Sequence, residues 1–369
     1  MASQAILSLA GEKMNSVFKN KLFYILILSI ILLLSLTIFN LFILFKVNKP
    51  ADSINKIRIG LSLGTLKEER WIKDRDILVA KIKELGAEIY VQNANNSDDD
   101  QLKQVKYLLD QKIDVLIIVP NDLQKSAAAV QLAQKYGVKV ISYDRLVMKS
   151  NVDLYISFDN TKVGMLMANY LVKKVPKGNY LIINGAPTDN NTKMIKDGYD
   201  SVLKKYISNG NIKIIAEEWS PNWMSEYAFK KTDEILQSGK KIDAIITGND
   251  SLAGAVIEAL AEYRLAGKIP VVGQDADLAA CQRIVEGTQS MTVYKPIDKL
   301  AEITAQMAIK LAKGEDLNIK ERIFDGKYYV PMYLLEPIAV DKNNIDSTII
   351  KDGFQNYEDV YRYVSKKNK

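Results

Sequence analysis

The chain has 369 residues, 48% hydrophobic and 25% charged, with 50 Lys and Arg against 44 Asp and Glu. That composition excludes a disordered or collagen-like chain and leaves enough length for two cores. Histidine is absent and Cys281 is the single cysteine. Ser–His and Cys–His nucleophile pairs, histidine metal sites, cysteine-held zinc or iron–sulfur and internal disulfides are therefore excluded.

The net charge of +6 is unevenly placed: residues 1–50 hold +4 of it, and the remainder of the chain is nearly neutral. Nucleic-acid binding needs a basic face for phosphate contacts, but here the lysines flank residues 22–45, which are 24 residues without a charge. As a helix this run is about 36 Å long at roughly 1.5 Å per residue, enough to cross a hydrocarbon core of about 30 Å with some tilt. It is longer than the apolar core of a secretory signal. The FKVNKPADS that ends it offers no A-x-A cleavage pattern, and no cysteine stands there to take a lipid. The expectation is an uncleaved single-pass anchor at 22–45, with a cytoplasmic segment at 1–21 and a linker at 46–55. Lysines lie on both sides, so charge bias does not set the orientation.

Beyond the linker, short β-branched runs alternate with helical patterns. Strands are predicted at 57–63, 88–92, 113–119, 138–143, 153–157, 179–184, 212–217, 242–247, 269–273 and 290–294. Helices are predicted at 66–85, 98–111, 122–136, 160–174, 189–207, 223–238, 250–265 and 297–313. Nearly continuous apolar strands between helices imply α/β architecture with parallel sheets covered on both faces. The sequence also echoes itself. KIDVLIIVPND at 112–122 recurs as KIDAIITGND at 241–250, and the next strands end at Asp144 and Asp275 in nearly the same relation. Two such matches in register point to two doubly wound, Rossmann-like lobes.

In open parallel sheets the ligand lies beyond the carboxyl ends of the strands. Those ends are polar here: Tyr143-Asp144-Arg145, Ser157-Phe158-Asp159-Asn160, Asn184-Gly185, Gly248-Asn249-Asp250, Gly273-Gln274-Asp275 and Tyr294-Lys295-Pro296. Carboxylates and amides that take hydroxyls, Arg and Lys as donors, and flat aromatics against C–H faces make a sugar site. The aromatics would be Trp71, Trp219 or Trp223. Each member has a plainer reading: an Asp or Asn after a strand caps a helix, a Trp fills a core, Arg70 and Lys295 are solvated charges, and Cys281 packs on an apolar helix face. The case rests on the constellation. Enzyme motifs of the G-x-G-x-x-G, G-x-x-x-x-G-K-[ST] and G-x-S-x-G kinds are missing. A glycosidase pair of Asp144 and Asp275 is disfavoured because Arg145 would keep Asp144 ionised.

The words ERWIKDRD, DVLIIVPND, YDR, YISFDN, PTDNN, GQDADLA, GTQSMTVYKP and NNIDSTIIKDGF resemble the D-xylose-binding proteins of bacterial sugar ABC transport systems. The resemblance runs from Lys56 to about Phe354. It implies a type I periplasmic-binding-protein fold, with two lobes joined by three crossings and closing on one monosaccharide. It also implies sugar contacts at Arg70, Trp71, Asp144, Arg145, Asp189, Asn191, Trp223, Asn249, Asp275 and Lys295, with no cofactor, no metal and no catalysis. The lobes it implies are 56–157 with 275–294, and 158–274 with 295–354, leaving a tail at 355–369 that reads as a solvated helix or a partner contact. The front end departs from the family. A retained anchor suits an extracytoplasmic D-xylose sensor reporting to a membrane sensor histidine kinase, as a dimer or a heterotetramer with it. The alternative is the substrate-binding subunit of an ABC-type importer, partnered by its permease. A LacI-type repressor would need a helix-turn-helix where the span lies.

Overall fold

The computed structural model describes residues 2–47 and 56–364. Two units are described separately, residues 1–56 and residues 57–369. The first is the helix α1 (Ala2–Val47). Its residues 19–42 are exposed, have a mean hydropathy of 2.8, and are long and apolar enough to cross a membrane by length and composition. A helix apolar all round has no polar side to offer water, so its natural solvent is lipid or protein. Most of the expected linker lies outside the described residues.

The second unit is built on two sheets. β1 (Arg58–Leu63), β2 (Glu88–Asn93), β3 (Val115–Val119), β4 (Lys139–Tyr143) and β5 (Leu154–Phe158) pair in parallel in the order β2-β1-β3-β4-β5. α2 (Glu69–Glu84), α3 (Asp98–Asp110) and α4 (Ala127–Lys135) connect them. After α5 (Asn160–Lys174) come β6 (Gly178–Asn184), α6 (Asn190–Ser208), β7 (Ile212–Trp219), α7 (Ser225–Gln237) and β8 (Ala244–Thr247). They are followed by α8 (Asp250–Glu262), β9 (Val271–Gln274), α9 (Leu278–Glu286) and β10 (Met291–Tyr294). The second sheet runs β7-β6-β8-β9-β10, the same order as the first. The internal echo is thus structural: β3 and β8 occupy equivalent places, as do β4 and β9. Every residue of β3 and β8 is buried, which is why these runs lack the alternation of a one-sided sheet.

Strand bounds match expectation within two residues, but the division into lobes needs correction. Residues 275–294 belong to the second lobe, because β10 pairs with β9, Thr292 opposite Gly273. The reason is that β10 is the fifth strand of the second repeat, as β5 is of the first. Residues 295–354 are divided between the lobes. α10 (Ile297–Ala312) packs on α2 and the first sheet. β11 (Arg322–Phe324) and β12 (Tyr329–Leu335) extend that sheet, β12 running parallel to β5. β13 (Ile338–Val340) returns to the second sheet, antiparallel to β10. The chain therefore crosses between lobes three times, near residues 159, 295 and 336, and these crossings form the hinge region.

The tail is partly docked. Phe354 and Val360 are buried in the core that also holds Cys281, Ile284 and Tyr294. Gln282 Nε2 donates to the Asp359 carbonyl at 2.8 Å, fastening α11 (Tyr357–Val360) to α9. Burying one large apolar side chain contributes about 1.5–3 kcal/mol, enough to hold a short helix that would not form alone.

Candidate functional site

The carboxyl ends of the two sheets face one cavity, and all ten sequence-predicted residues line it. None of the ten is more than 9% exposed. The first lobe supplies Arg70 and Trp71 from the first turn of α2, and Asp144 and Arg145 from the end of β4. The second supplies Asp189 and Asn191 at the start of α6, Trp223 beyond β7, Asn249 beyond β8, Asp275 beyond β9 and Lys295 beyond β10. Trp219, the alternative indole, ends β7 and does not line the cavity.

Three of these residues hold left-handed backbone: Asp144 at φ 61°, Trp223 at 56° and Asp275 at 94°. Such conformations are uncommon outside glycine and concentrate at binding sites, where surrounding structure enforces them. Two glycines make room for the indole. A Cβ on Gly185 would lie 2.1 Å from the Trp223 ring, and one on Gly248 would lie 2.4 Å from the Gly185 nitrogen.

The electrostatics centre on Arg70. Its guanidinium meets Asp74 at 3.0 Å and Asp144 at 2.9 Å in its own lobe, and reaches Asp275 of the second lobe at 3.4 Å. Lys295 lies 3.1 Å from Asp275. Arg145 crosses to Asp189 at 2.7 Å, and Asn191 Nδ2 donates across to Asp144 Oδ1 at 3.0 Å. Lys67 Nζ donates to the Trp223 carbonyl at 3.2 Å. The Arg70 and Arg145 guanidinium carbons lie 4.3 and 4.9 Å from the Trp71 ring centre, within cation–π range.

Burial alone would raise the Asp144 carboxyl, but Arg70, Lys295 and Arg145 outweigh it and hold Asp144 below its ordinary value. Burial pushes Asp74 up to about 6 despite Arg70, with the Asp144 charge adding to the rise. Burial likewise raises Asp189 against the pull of Arg145. The acid that faces the cavity nearest Arg70 thus stays an acceptor, which suits hydroxyl binding and not proton donation.

Capping and lining coexist in two residues. Asn249 Oδ1 accepts from Leu252 N at 2.9 Å and Asp189 Oδ1 from Asn191 N at 2.9 Å, so each starts a helix while also lining the cavity, and the second oxygen of Asp189 pairs with Arg145. Asp159 only caps α5, and Asp250 is tied up by Thr292 and Gln289. Two lining residues were missed from the expected set, Glu68 and Gln274. Gln274 stood in the strand-end GQD word; Glu68 fell inside the helix predicted at 66–85, in a charged run.

A family model described as a periplasmic binding protein domain matches residues 59–316. The chain belongs to this family. Among its relatives are D-xylose-binding periplasmic proteins of Haemophilus influenzae and Escherichia coli. The first is 44% identical over 306 residues, which is 83% of this chain and 92% of the relative. The second is 44% identical over 305 residues, or 82% and 92%. A solved ABC transporter solute binding protein from Clostridium phytofermentans, with bound beta-D-glucose, superposes with a TM-score of 0.77 at 29% identity. That superposition covers 82% of this chain and 99% of the other. This periplasmic binding protein is therefore a type I sugar-binding domain of a non-catalytic family, related to D-xylose-binding proteins.

Proposed function

We propose that the protein binds D-xylose in the cavity between its lobes, outside the cytoplasm, and closes on it. The observation that carries this reading is the convergence of ten polar and aromatic side chains from both lobes on one buried cavity. Arg70, Arg145 and Lys295 are paired with Asp144, Asp189 and Asp275, within each lobe and across the cleft, so these charges offset one another and the site suits an uncharged ligand. A pyranose offers hydroxyls that donate and accept, and C–H faces for Trp71 and Trp223. Each hydroxyl that bonds to both lobes favours the closed form, and closure shifts by the difference in affinity between the two forms. D-xylose, which lacks the hydroxymethyl of glucose, is supported by the relatives.

Delivery of the sugar to an ABC-type permease is the output that the relatives support best. A second reading, an anchored sensor that reports to a sensor histidine kinase, is favoured by one observation: the apolar stretch at 19–42. An anchor keeps the receptor beside a membrane partner at high effective concentration, which a shuttling carrier needs less. Calorimetry against D-xylose, D-glucose, L-arabinose and D-ribose tests the ligand; no heat with any of them overturns the reading. Gene deletion separates the outputs. Lost xylose uptake supports import, and lost xylose-induced transcription with uptake intact supports sensing.

A further inference from the structure

We propose that Glu68 and Gln274 are two further sugar contacts, each accepting a hydrogen bond from a ligand hydroxyl, and that they restrict the site to uncharged sugars. The proposal rests on the sugar-binding reading above and deepens it.

Glu68 stands at the N-cap of α2 and is 7% exposed. Its backbone carbonyl accepts from Trp71 N at 3.1 Å, but its side chain makes no capping bond. The next residue shows the contrast. The Glu69 carboxylate accepts from Leu278 N at 2.9 Å and from Gln355 Nε2 at 3.1 Å, and pairs with Lys73 at 2.9 Å. Glu69 is fully employed in joining α2 to α9 and the tail, whereas Glu68 Oε2 is buried with no partner. Gln274 is 3% exposed. Its Nε2 donates to the Gly248 carbonyl at 2.7 Å, which fixes the amide and leaves Oε1 buried and unpartnered. A third lining residue, Trp223, has a buried, unpartnered Nε1 donor.

Leaving a buried polar atom unsatisfied is unfavourable, and native sites rarely tolerate several together. Here two unpartnered acceptors and one unpartnered donor belong to side chains that line the same cavity, one acceptor from each lobe. A ligand that satisfies them supplies two hydrogens and one lone pair, which is what neighbouring hydroxyls provide. A sugar acid or sugar phosphate would set its negative charge in a cavity that already holds the Glu68 carboxyl. Neutral aldoses are admitted and their oxidised or phosphorylated derivatives are not.

The test is calorimetry on the full chain with D-xylose, its singly deoxygenated analogues and D-xylonate. A bond to a charged acceptor predicts roughly 10- to 100-fold weaker xylose binding in Glu68→Gln, and a neutral one about 3- to 10-fold in Gln274→Met. One deoxy-xylose should bind the parent protein weakly yet suffer no added loss in Glu68→Gln. Xylonate should not bind the parent. If Glu68→Gln unfolds, Glu68→Asp withdraws the same oxygen by one methylene and serves instead. Unchanged xylose affinity in the Glu68 and Gln274 variants, or parent binding of xylonate as tight as xylose, overturns the proposal while leaving sugar binding intact. A parent that binds no sugar overturns the functional reading and this proposal together.

Discussion

Replacing Asp144 separates the charge of the site from its backbone geometry. Asp144 takes Arg70 Nη2 at 2.9 Å and Asn191 Nδ2 at 3.0 Å, and an ionised carboxylate has capacity for about two acceptor contacts more. Its φ of 61° is one that Asn tolerates and Ala resists, by roughly 1–2 kcal/mol. Asp144→Asn therefore keeps the fold but presents one amide in place of an oxygen, so either Arg70 or Asn191 faces a donor. Removing one partner of a buried ion pair costs about 3–5 kcal/mol, here lessened because Arg70 retains Asp74 and Asp275. The expected loss in xylose binding is about 2–4 kcal/mol, roughly 30- to 1,000-fold. Asp144→Ala should bind as poorly and also melt earlier than Asp144→Asn. Because its charged neighbours hold Asp144 low, its contribution is present above the unfolded carboxyl value of 3.8 and is lost only as pH falls below it. Calorimetry and thermal unfolding measure both effects. Xylose affinity within threefold of the parent in Asp144→Asn would refute the reasoning.

Glu69→Ala should weaken xylose binding several-fold through faster release, because the α2–α9 contact helps hold the closed form; stopped-flow release rates equal to the parent's would count against this. Burial pushes Asp250 up to about 7, against bonds from Thr292 and attraction from Arg283. The folded state thus keeps a proton that the unfolded chain has lost. The Asp250 contribution to stability is full below 3.8 and declines as pH rises to about 7. Melting temperatures from pH 5 to 8 should fall less steeply in Asp250→Asn, and parallel curves would exclude Asp250 as a source. Residues 56–369 expressed alone should remain in solution with parental xylose affinity, while the full chain should sediment with membranes; a full chain found in the soluble fraction would rule out the anchor.

Much of the site was legible because it follows from topology. Parallel strands bring their carboxyl ends to one side, so polar words such as YDR, GND and GQD had to gather there whatever the details. Trp223 and the DNN turn were not derivable this way. Asp189 is a helix cap, and only the crossing of Arg145 from the other lobe makes it part of a cleft. Glu68 was hidden because it falls in the charged run KEERWIKDRD of a predicted helix, where one more charge reads as solvated, and only burial without a partner marks it out. The lobe assignment of β10 was hidden for another reason. Pairing between parallel strands is set by neighbours distant in sequence, and nothing local in MTVY distinguishes one sheet from the other. β11 and β13 have three residues each, too short for periodicity to register.

The crossings also fix an order of assembly. A ribosome that has released residue 158 has made the first five strands of the first sheet, yet β12, which covers the β5 edge, ends at residue 335. For the whole time that the second lobe is being made, the first waits with that flank uncovered, and an unpaired strand edge invites partners from other chains. Nascent chains halted between those points should be the form of this protein most in need of a chaperone.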